Sequence, residues 1–142
     1  MHPFAGPVIV TVAYFSLWYY LLLGLQRGTK YRLKAEYAER GEDFDRYFGQ
    51  DERMLAADRA VGNTQEQMVP FLGALWLFAL FASPTWAAAL GGTYVLLRAV
   101  YPALLGARVS KIQTKRVYLV TLPCYAIVFV MLGGAVWGAL RG

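Results

Sequence analysis

Asp58-Arg59-Ala60-Val61-Gly62-Asn63-Thr64-Gln65-Glu66-Gln67 runs without a break into Met68-Val69-Pro70-Phe71-Leu72-Gly73-Ala74-Leu75-Trp76-Leu77-Phe78. The first half is polar and the second half has the composition of a membrane helix. Arg59, Asn63 and Glu66 are spaced i, i+4, i+7, so on a helix they share one face. Glu66 is the last acidic residue in the chain. A cation, an amide and a carboxylate on one stripe that leads into hydrocarbon mark a polar site. The same three could also only neutralise one another or tie helices together. Pro70 removes the N–H that would bond the Glu66 carbonyl, so a kink is expected there, either to shape the site or only to bend a packed helix.

Outward from this stretch the chain is equally apolar. Of its 142 residues, 58% are hydrophobic and 16% charged, a composition unlike that of a soluble domain of this size. Four runs are long enough to cross a bilayer, which takes roughly 20 helical residues each. They cover about 6–26, 54–82, 84–106 and 115–140, with a loop of about 27–53 after the first. Little chain is left over. The expected fold class is an all-α membrane protein, one domain over 1–142 built as a four-transmembrane-helix bundle. Met1-His2-Pro3 gives no charged flank beyond the amino terminus and no clear cleavage site ends the first run, so that run is expected to be retained.

The net charge of +5 does not point to nucleic acid. All the cations but Arg141, at the far C-terminus, fall in two blocks, Arg27 to Arg59 and Arg98 to Arg116, which are the connections after spans one and three. The turn Ala82-Ser83-Pro84-Thr85 carries no charge. By the positive-inside rule both basic connections face the cytoplasm and both termini face away from it. The setting is then an endoplasmic reticulum or a bacterial inner membrane.

One cysteine, Cys124, and one histidine, His2, leave no material for a His/Cys metal site or a Ser-His-Asp triad within the chain. Cys124 lies in an apolar run after Pro123 and reads as a packed thiol. Between the spans, Lys30 to Arg40 is alternately charged and can continue as a short surface helix that Gly41 ends. Asp51-Glu52 suits a helix N-terminus, and Ser83-Pro84 a capped helix start. Ala87, Ala88, Ala89, Gly91 and Gly92 allow close helix approach at the start of span three.

The string Arg59-Ala60-x-x-Asn63-x-x-Glu66 before a proline-containing apolar helix resembles the signature of the membrane-associated proteins in eicosanoid and glutathione metabolism, the MAPEG family. Chain length, four spans, a longer first connection and Arg98-x-x-Tyr101 at the basic end of span three extend the resemblance over most of the chain. It implies a homotrimer in a lipid membrane, with glutathione as co-substrate in clefts between subunits near the basic end. It further implies a transferase or peroxidase in which a glutathione thiolate attacks lipophilic electrophiles or lipid hydroperoxides. By this resemblance Arg59, Asn63 and Glu66 hold the tripeptide, with Gln67 beside them and Arg98 and Tyr101 completing the site. Gln26 or Arg27 contributes from span one.

Two positions depart from the pattern. Position 67 is often tyrosine in the leukotriene-synthase branch and is Gln67 here. The family enzymes also use an arginine near the start of span four to stabilise the thiolate, and direct counting from Tyr101 reaches Ile112. A small gap brings in Lys111, Lys115 or Arg116, with Arg116 favoured; each is equally explained as a basic flank of a membrane helix. A non-catalytic, lipid-binding relative of the activating-protein type therefore stays open. So does a small proton-coupled exporter using Glu66, although that residue sits beside a basic end and not mid-membrane.

Overall fold

The computed structural model describes residues 2–108, 110 and 114–142. Among them there are six α-helices and no strand. Helix α1 (Ala5–Tyr19) passes through a π-helical segment (Tyr20–Gln26) into α2 (Arg27–Glu39). Together they form one apolar-to-charged rod, Ala5–Glu39, of 35 residues. The expected loop of 27–53 is thus helical at its start, because Arg27 to Glu39 holds only one glycine and no proline to stop the helix. Gly41, at φ +71°, turns the chain out of it. The irregular connection is 40–51. Nothing in the leucine-rich run foretells the widened π turns.

Helix α3 (Glu52–Glu66) starts at Asp51, whose side chain accepts from the backbone N–H groups of Arg53 at 2.9 Å and Met54 at 3.4 Å. It ends at Gln67, and α4 (Met68–Phe81) follows at once. The break falls one residue after Glu66, the carbonyl that Pro70 leaves without its helical donor. The apolar run of 54–82 is therefore two helices of 15 and 14 residues. Among the described residues, three helical stretches are long and apolar enough to cross a membrane: Ala5–Glu39, Pro84–Leu105 and Lys115–Arg141.

Ser83 caps α5 (Pro84–Leu105), accepting from the Trp86 N–H, and Pro84 occupies its first turn. Gly106, at φ +86°, ends it. Helix α6 (Thr114–Arg141) packs along α4 and α5. The core lies where α1, α4, α5 and α6 meet: Tyr14, Phe71, Ala74, Leu75, Tyr94 and Met131 are fully buried. Phe71 and Tyr94 stack with centroids 3.9 Å apart and planes at 6°, and the Tyr14 ring leans on Phe71 at 4.9 Å. Gly91 admits this packing: a β-carbon there would sit 2.7 Å from Leu75 and 2.8 Å from Val10. Cys124 is buried in the same core.

At the basic end a second, smaller cluster holds α2 to α3 through Leu33, Met54 and Ala57, with Phe44 folded over it. An ionic clamp surrounds it. Arg53 pairs with Glu36 of α2 and with Asp51, and the Tyr37 hydroxyl donates to Asp51 at 3.1 Å. Burial works against the charged Asp51 carboxylate, but the hydrogen bonds from Arg53 and Tyr37 outweigh it and hold the group below its ordinary range.

Candidate functional site

Helix α3 turns Ala57, Ala60, Val61 and Thr64 inward. That i, i+3, i+4, i+7 spacing leaves Arg59, Asn63 and Glu66 on an adjoining stripe. Thr64 is the polar end of the buried face. Its hydroxyl donates back to the Ala60 carbonyl at 2.9 Å, and its own carbonyl accepts from the Tyr14 hydroxyl at 2.6 Å.

Across from it lies Arg98 of α5, only 1% exposed. Its Nη2 donates to Asn63 Oδ1 at 2.8 Å and to Thr64 Oγ1 at 3.2 Å. Its guanidinium carbon lies 4.5 Å from the centroid of the buried Tyr101 ring. Its Nε is buried without a hydrogen-bond partner among the described residues. No carboxylate pairs with it there either. A buried guanidinium without a counter-charge is costly; an amide oxygen, a hydroxyl and an aromatic face offset part of that cost. Because Arg98 takes Asn63 Oδ1, the Asn63 amide nitrogen is left as a donor toward the stripe. The structure thus joins Asn63, Arg98 and Tyr101.

Arg59 and Glu66 flank this group on the surface of the chain, both exposed, and neither makes an ion pair among the described residues. Gln67, half-buried, is the residue of the helix break. Gln26 is engaged elsewhere: its Nε2 donates to Asp58 Oδ1 at 2.8 Å. Asp58 also receives Arg46 through both guanidinium nitrogens, at 3.0 and 2.9 Å. Arg27 is exposed on α2 beside the Tyr31 ring. Lys115 and Arg116 are exposed in the first turns of α6, with no hydrogen bond or ion pair to α3 or α5 among the described residues. Lys111 lies outside the described residues.

Asp58, Thr64, Arg46 and Tyr14 were not singled out from the sequence. Thr64 was within reach, as the one polar residue on the spacing of Ala57, Ala60 and Val61. The Arg46–Asp58 pair was not, since it joins an irregular connection to a helix and no periodicity links them. A cavity of ≈ 360 Å³ lies behind α3, lined by Ala56, Ala57, Ala60 and Pro102 with Arg32 and Arg53 at its wall. None of the residues expected to bind glutathione lines it.

The chain belongs to the MAPEG family, whose pattern it matches over residues 4–137. It is also similar to a protein of Synechocystis sp. described as "Uncharacterized protein sll1147", with 33% identity over 96 residues. That match takes in 67% of this chain and 63% of the relative's length. No solved structure matches. Family membership and three membrane-length helices among the described residues make this an integral membrane protein.

Proposed function

We propose that the chain is a glutathione-dependent membrane transferase or peroxidase, working as a homotrimer of four-span subunits in which α3 and α4 together make the second span. The observation that carries this reading is the buried Arg98, a guanidinium lacking a carboxylate among the described residues and placed beside the Arg59–Asn63–Glu66 stripe. A tripeptide with two carboxylates and one ammonium supplies the missing opposite charges. In this reading Arg59 clamps a carboxylate bidentately, Glu66 receives the ammonium, and the free Asn63 amide donates to a peptide carbonyl. Exposure of Arg59 and Glu66 on a single subunit fits a cleft that a neighbouring subunit closes.

The co-substrate brings the nucleophile. A free thiol titrates near 8.5, so bringing it down by about two units takes about 2.7 kcal/mol of preferential stabilisation of the thiolate. A cation in a partly desolvated cleft provides that, and the ionised sulfur attacks the electrophilic centre of an apolar compound arriving through the lipid. Arg116 is the proposed cation, with Lys115 and Lys111 as its alternatives.

The test is ultraviolet difference absorbance of the glutathione thiolate on adding glutathione to the purified protein, with Arg59→Ala alongside. A thiolate band at neutral pH that Arg59→Ala removes is the expected result. Glutathione binding with no band, and with none restored by any electrophile, sinks the catalytic half of the proposal. It leaves the second reading, a lipid-binding relative without thiol chemistry, which Ile112 in the expected arginine register favours.

A further inference from the structure

A second cavity, of ≈ 340 Å³, lies beside the π-helical segment and the start of α2. Volumes of roughly 300–1,000 Å³ are typical of small-molecule sites. Leu22 and Leu23 form its apolar side, Gln26 adds an amide, Arg27, Lys30 and Tyr31 continue along α2, and Arg46 and Tyr47 close it from the connection. Leu22, Leu23, Gln26 and Arg27 follow the i, i+1, i+4, i+5 spacing of one helix face, within or next to the π-helical segment, a kind of distortion that often serves a binding site.

The lining holds three cations and no carboxylate. Arg46 is fixed in place by its two bonds to Asp58. Arg27 and Lys30 make no ion pair among the described residues, although both stand over the Tyr31 ring, at 5.6 Å each. The cavity lies where the apolar run gives way to charge. Around it the surface is aromatic: Tyr20 is 70% exposed, Tyr47 84% and Phe48 86%. Exposed tyrosines are enriched in the headgroup layer of a membrane. Basic pockets at that level recognise anionic lipid headgroups.

We infer that this cavity binds the phosphodiester of an anionic phospholipid in the leaflet at the basic end. Arg27 and Lys30 contact the phosphate oxygens, Arg46, its charge balanced by Asp58, walls the cavity, and the first acyl carbons lie on Leu22 and Leu23. A soluble phosphate would satisfy the cations equally well, but it makes no use of the leucines or of the aromatic rim. The cavity shares Gln26 and Arg27 with the residues that the resemblance sets at the glutathione site, while Lys30, Arg46 and Tyr47 have no part in the glutathione proposal.

The full-length protein is reconstituted in nanodiscs of phosphatidylcholine mixed with phosphatidylglycerol, then extracted, and the retained lipid is counted by native mass spectrometry. Selective retention of phosphatidylglycerol is expected. It should fall about fivefold in Lys30→Gln and about 25-fold in the Arg27→Gln/Lys30→Gln double variant, one cation's share of headgroup attraction each. Arg141→Gln, at the far end of α6, should retain as much as the parent. Equal retention of the two lipids overturns the inference, as does unchanged retention in the double variant. Displacement of the lipid by inorganic phosphate or by glutathione also overturns it, since either marks a site for soluble anions. If the double variant does not fold, Lys30→Gln alone decides.

Discussion

Arg98 Nη2 lies 2.8 Å from Asn63 Oδ1, so a fully buried cation on α5 fixes the orientation of a half-buried amide on α3. Thr64 shares the same nitrogen. The two helices are joined at the point where polar sequence meets apolar sequence.

Truncating either partner is therefore expected to be expensive. Asn63→Ala removes a hydrogen bond to a charged group, worth about 1.5–3 kcal/mol, and leaves Arg98 with Thr64 alone. Arg98→Met keeps volume and removes the charge, so it should cost less than Asn63→Ala despite deleting more hydrogen bonds. Thermal unfolding in one detergent, run on both single variants and the double, checks the order. Additive single costs would show that the contact carries no coupling energy.

Arg59 and Glu66 should behave in the opposite way. Both are exposed, so Arg59→Ala and Glu66→Gln should shift stability by no more than about 0.5 kcal/mol. Each should nonetheless weaken glutathione binding at least tenfold, or about 1.4 kcal/mol. Calorimetric titration beside a melting curve separates the two effects. A matched loss of stability and affinity would reassign these residues to the scaffold.

Gly91→Ala tests the helix contact at the core. The added methyl would meet Leu75 and Val10 at 2.7 and 2.8 Å. Overpacking of this kind costs about 1–3 kcal/mol. Gly92→Ala, where nothing lies within 4 Å of the new carbon, should be neutral or slightly stabilising. Comparing the two melting temperatures is enough.

The acid limb of stability should depend on Asp51. Its carboxyl titrates lower in the folded chain than in the unfolded one, because Arg53 and Tyr37 bond its charged form against the opposing effect of burial. A depressed carboxylate stabilises the fold above its unfolded value of about 3.9, and that share is lost as pH falls through the folded value. Asp51→Ala should cost about 0.5–2 kcal/mol at neutral pH through loss of the α3 cap. The difference from the parent should shrink as pH drops below 4. A difference that stays constant down to the acid transition would mean that the charge contributes nothing.

Much of this was legible beforehand. The helical class, the membrane setting and the family follow from apolar run lengths and from Arg59-Ala60-x-x-Asn63-x-x-Glu66. Asp51 and Ser83 announced two helix starts through cap chemistry alone, and Pro70 announced the break that falls at Gln67. Local rules reach that far because each depends on neighbours within a turn. They did not reach the Tyr14–Thr64 bond or the Arg46–Asp58 pair, which join residues 50 and 12 positions apart. Nor did they reach the bond that Gln26, one of the two span-one residues the resemblance sets at the glutathione site, makes to Asp58. The helix expected to continue from Lys30 and to end at Gly41 is present as α2, but the π segment that joins it to α1 carries no local signal.

The interruption at Gln67 gives the second apolar run two different supports. Below it, α3 is fastened to its neighbours by carboxylates and guanidinium groups. Above it, α4 is wedged among α1, α5 and α6 by hydrocarbon and aromatic rings. Ionic strength acts on the first set of contacts and bilayer thickness on the second. Salt and lipid composition are thus separate controls on one continuous stretch of chain, meeting at a single glutamine.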